Sequence, residues 1–142
     1  MASLKRITAL SSCLIAILIV VSLWLHRRGV SDAKWIAIAM STDHGPESGD
    51  TSESQGYSRD YQSGWLGEVA GSHIDRDGHI EPPAGESMNP GVRDGRKEAW
   101  RSLETINGLE ARQRTRVFKA VHAYAIVEIK RRGIISAMKS AD

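Results

Sequence analysis

The chain of 142 residues carries a single cysteine, Cys13. Without a second thiol there is no intrachain disulfide, and cysteine usage leaves the redox compartment open. Leu10-Ser11-Ser12-Cys13 looks like a lipoprotein cleavage box, but such a box follows its apolar stretch, and here most of that stretch comes after the cysteine. Catalytic signatures are missing too: there is no Gly-x-Ser-x-Gly elbow and no Gly-Lys-Ser phosphate loop. The histidines form no triad, since His26 adjoins the apolar segment, His44 lies in a polar stretch and His122 falls at the edge of a helical pattern. These absences point to a protein that is not an enzyme and uses no cofactor. Two local deficits shape the rest of the reading. Residues 1–30 contain no acid, and residues 41–64 contain no aliphatic side chain.

Charge is unevenly distributed, at +4 over residues 1–30, −8 over 31–92 and +6 over 93–142, within a net charge of +2. In the first segment, Ile7 to Leu25 runs for nineteen residues without a charge. As a helix that run would cover about 28 Å, the thickness of a hydrocarbon core, so the spacing predicts a transmembrane helix over 7–25. Lys5 and Arg6 in a short basic arm (1–6), and His26, Arg27 and Arg28 beyond, would lie at the two head-group regions, with Trp24 at one interface. A cleaved signal would need a shorter run ending in small residues. The expectation is therefore a signal-anchor: a single-pass protein in the bilayer of a bacterial inner membrane, its C-terminal part on the periplasmic side.

After the anchor, residues 26–64 read as a juxtamembrane segment and a flexible acidic spacer. Residues 34–40 are a short apolar run that could be a strand, an interface-hugging segment or a packing strip, while Ser, Gly, Asp, Glu and Thr dominate residues 41–64 and cannot bury enough surface to offset the entropy of ordering. Residues 65–92 read as a loop-rich segment in which Asp77-Gly78, between Ile74 and Ile80, signals a small β-hairpin. His73, Asp75, Asp77, His79 and Glu81 fall at every second position, which on one extended strand would place all five on one face and suit a metal. A turn at Asp77-Gly78 would break that face, and the spacing does not match a calcium loop. A solvated turn is the preferred reading.

Residues 93–142 read as a basic amphipathic helical tail, a helical hairpin. Asp94 is expected to cap a helix over about 95–106, and Asn107 with Glu110 to form a capping pair. A second helix is expected over about 109–132, stopped at Gly133, with Ile134, Ile135 and Met138 closing a short third helix or packing back. Val117, Phe118, Val121, Tyr124 and Ala125 share one side of the second helix and are the candidate partner-binding residues. Glu128 falls amid that side and is expected to pair with Arg132. The fold class is thus mainly α: a transmembrane helix, a disordered polar spacer, a small hairpin and a C-terminal helical hairpin.

The expected function is an interaction or accessory component of a membrane or envelope assembly, binding a protein partner or a second copy through the tail. The alternative is a cytoplasm-facing tail that binds anionic lipid or nucleic acid. Arg112, Arg114 and Arg116, spaced by two, point in different directions on a helix, and this disfavours nucleic acid. In layout alone the chain resembles small bacterial envelope proteins, among them accessory parts of secretion, conjugation and lysis systems.

Overall fold

The computed structural model describes the backbone of residues 2–42 and 51–139 and the side chains of residues 18–42 and 51–133. These residues form four helices and one antiparallel sheet: α1 (Ala2–Ser41), α2 (Ser52–Gly71), β1 (His73–Ile74), β2 (Ile80–Glu81), α3 (Pro90–Asn107) and α4 (Ala111–Lys139). The mainly helical class and the small hairpin agree with the sequence reading. The chain divides into two compact units, Met1–Ala33 and Lys34–Asp142.

In the first unit α1 holds Arg28 over the Trp24 ring, 3.5 Å from its centroid, a cation–π pair one turn apart. Of the expected span 7–25, the side chains of residues 7–17 lie outside the described residues. In the remainder, the stretch Leu18 to Leu25 amounts to about 12 Å of helix. The helix does not end there but continues through Arg27, Arg28, Asp32 and Lys34 to Ser41. Among the described residues no helix is long and apolar enough to cross a membrane. This corrects the transmembrane helix, the signal-anchor and the single-pass placement in an inner membrane with a periplasmic tail.

In the second unit the main departure from expectation is α2. Residues 52–64, read as spacer, form the first two-thirds of this helix; residues 43–50 lie outside the described residues. Thr51 caps α2, its hydroxyl accepting from the Ser54 N–H at 3.3 Å. The buried side chains Tyr61, Trp65, Leu66 and Val69 stand at relative positions 0, 4, 5 and 8, one side of a helix, so tertiary burial supports a helix whose polar N-terminal half has little intrinsic preference for one.

Glycine makes the docking of α2 on α3 close. A Cβ at Gly95 would stand 1.9 Å from the Tyr61 carbonyl oxygen, and one at Gly64 2.1 Å from that of Val92. Here the two backbones touch, an approach open only to a residue without a side chain. The core forms around this contact. Trp65, Leu66 and Val69 of α2, Ala99, Leu103 and Ile106 of α3, Val117, Phe118, Val121 and Ala125 of α4, Ile80 of β2 and Ala39 are all buried. Trp65 is fully buried, and its indole N–H donates to the Thr42 hydroxyl at 2.7 Å, so its one polar atom is satisfied.

Several boundaries differ from the expected ones. The cap of α3 is Asn89, not Asp94: its side chain accepts from the Val92 N–H at 3.1 Å, and Pro90 occupies the first turn, where its missing N–H costs nothing. Asp94 instead accepts the Tyr57 hydroxyl at 2.7 Å. Asn107 ends α3 rather than capping the next helix. Its amide mimics a neighbouring strand, Oδ1 accepting from the Ile80 N–H at 2.8 Å and Nδ2 donating to the Ile80 carbonyl at 3.0 Å. Gly133 does not stop α4, which runs on to Lys139; a glycine inside a helix costs only about 1 kcal/mol. The side chains of Ile134, Ile135 and Met138 lie outside the described residues.

Candidate functional site

The hairpin turns at Gly78, whose φ of +84° glycine adopts without strain. Its register pairs His73 with Glu81 and Ile74 with Ile80. The turn closed by the Gly78 N–H on the Asp75 carbonyl interrupts the single extended run of five alternating side chains. His73 meets Glu81 at 3.6 Å and His79 meets the partly buried Asp75 at 4.0 Å, as two separate pairs. Asp75 accepts the His79 N–H at 2.8 Å, a bond that lowers its pKa. Among the described residues no group of three or more His, Cys, Asp and Glu side chains is placed to hold a metal.

The candidate partner-binding stripe faces inward. Val117, Phe118, Val121 and Ala125 are buried in the core against α2 and α3, and Tyr124 is half-buried with its ring edge-on to Trp65, centroids 6.4 Å apart. That face of α4 is already covered by the chain's own helices. Glu128, at the margin of the stripe, pairs with both Arg131 and Arg132, the latter at 2.9 Å, and these guanidinium groups lower its carboxyl pKa to about 2. Arg114 is drawn inward to donate to the Gly78 and Leu109 carbonyls, at 2.8 and 3.3 Å, so it is not a surface cation. His122 lies 3.1 Å from the Ala70 carbonyl, tying α4 to the end of α2.

A cleft elsewhere on this unit has more chemical content. It lies between the N-terminal half of α3 and the loop that follows β2, has a volume of about 510 Å³, and is floored by Glu68 of α2. Arg93, Arg96, Lys97 and Trp100 line it from α3 at relative positions 0, 3, 4 and 7, which is one helical face. Pro82, Pro83 and Met88 line it from the loop. Glu68 is buried and accepts from Arg96 Nε at 2.6 Å. Removing either partner would strand a charge in a poorly solvated place, so the pair fixes the position of Arg96. Among the described residues neither Nη group of Arg96 meets an acceptor. Met88 is 96% exposed, unusual for a large apolar side chain, and Trp100 is half-buried.

Sequence reasoning missed this face for a local reason. Starting the helix at residue 95 removed Arg93 from it, and treating residues 52–64 as spacer removed the helix that presents Glu68. Asn89-Pro90, a cap followed by a first-turn proline, was the available signal. Comparison with known proteins finds no family model, no curated relative and no solved structure that matches the chain.

Proposed function

We propose that the unit Lys34–Asp142 is a non-catalytic interaction module and that the cleft between α3 and the 82–88 loop is its binding face. The observation that carries this reading is the convergence of a half-buried indole, a fully exposed methionine and three cations on one concavity of about 510 Å³, a size suited to small ligands or an anchoring side chain. The stripe on α4, by contrast, is used up in the core. Two-dimensional NMR of the full chain tests the proposal, with the Trp100 indole N–H and the Met88 methyl as reporters, assigned through Trp100→Phe and Met88→Leu. Within a library of neutral, cationic and anionic fragments, binders should shift both reporters and leave the enclosed Trp65 indole in place. If no fragment moves either reporter, the reading fails.

A further inference from the structure

Resting on that reading, we infer that the cleft takes a planar aromatic ring bearing an anionic group. Arg93 and Trp100 lie seven positions apart on α3, about 10 Å along the axis, with Arg96 and Lys97 between them and one turn from the indole, so the cations run along the same face up to Trp100. Trp100 is partly buried against the core and lines the cleft with the part of its indole that remains exposed, together with Pro82 and Pro83 of the loop.

Along the rest of this face the charges favour an anion. Glu68 is committed to Arg96, and Asp94, 3.9 Å from Arg93 Nε, also accepts the Tyr57 hydroxyl. Glu86 on the loop is the remaining acid of the lining, and it is exposed. Among the described residues Lys97 has no ion pair, and Arg96 is held by Nε with neither Nη group hydrogen-bonded. A guanidinium fixed in this way recognises a planar or tetrahedral anion with part of the ordering entropy already spent. A phosphate or a carboxylate satisfies the same groups, so the ligand is defined by its ring and its negative charge, and the two anions are told apart experimentally.

Isothermal titration calorimetry on the full chain tests this with adenosine monophosphate and 4-phenylbutyrate as probes, and adenosine and ribose 5-phosphate as half-ligands. At least one whole probe should bind with a stoichiometry of one, and its half-ligands should bind about tenfold more weakly or worse. Binding of the nucleotide alone assigns a phosphate-bearing ring; binding of phenylbutyrate alone assigns an aryl carboxylate. The double variant Arg93→Ala/Lys97→Ala, at exposed positions, and separately Trp100→Leu should each weaken binding by about tenfold with the thermal transition retained. Lys130→Ala on α4 should leave it unchanged. Raising salt should weaken the interaction. Failure of both probes, or binding indifferent to the cleft substitutions, overturns the inference. If neutral or cationic fragments still shift Trp100 and Met88 in that case, the binding face stands and only its ligand class falls.

Discussion

Replacing Gly95 with alanine would set a methyl group 1.9 Å from the Tyr61 carbonyl oxygen, where ordinary contact begins near 3.4 Å. The obstructing atom belongs to helical backbone and cannot rotate away, so α2 and α3 would have to part by about 1.5 Å across the contact that shelters Trp65 and Ala99. Overpacking of this kind costs about 3 kcal/mol. Alanine returns about 1 kcal/mol through its better helix preference, leaving a net loss of about 2 kcal/mol. For a unit of this size the melting temperature should fall by about 10 °C. Gly67→Ala is the matched control, because nothing lies within 4 Å of the added carbon. It should stabilise by about 0.5–1 kcal/mol. Near-ultraviolet circular dichroism during heating is the suitable readout, since the immobilised Trp65 reports tertiary packing in this unit. A Gly95→Ala chain melting at or above the unmodified protein would refute the claim that the two backbones touch.

Asn107→Ala removes both bonds to Ile80 and leaves a buried strand edge unpaired, for a loss of about 2 kcal/mol; native-state hydrogen exchange should quicken at the Ile80 amide before it does in α2. Asn89→Ala should cost about 1 kcal/mol in urea denaturation, through the lost α3 cap, with a smaller part from its 2.9 Å bond to Asp60. The Glu128 carboxyl is held near 2 against an ordinary 4.5, so its contribution is full above about pH 4.5 and disappears as pH falls toward 2. Linkage allows at most about 3 kcal/mol, and solvent around the more exposed Arg131 reduces this to about 1–2 kcal/mol. Urea midpoints of the unmodified protein should therefore drop between pH 4.5 and 2 by more than those of Glu128→Gln, and equal slopes would refute the pairing.

Local chemistry made much of the second unit readable in advance. The Asp77-Gly78 turn needs only neighbouring residues and a positive φ, and Ile74 and Ile80 pair across it as their spacing implies. The inward stripe of α4 and the pairing of Glu128 with Arg132 follow from a period of 3.6, which any helix carries. What that stripe would face was not legible, because periodicity says that a face is apolar and not whether the chain supplies its own cover. Tertiary contact decided that α2 is a helix at all, through burial of four apolar side chains and through glycines that let α3 approach. It also turned Asn107 from a presumed cap into a strand mimic and brought Glu68 beneath Arg96. These pairings join positions 27 and 28 residues apart, and a distant partner leaves no periodic trace in the residues beside it.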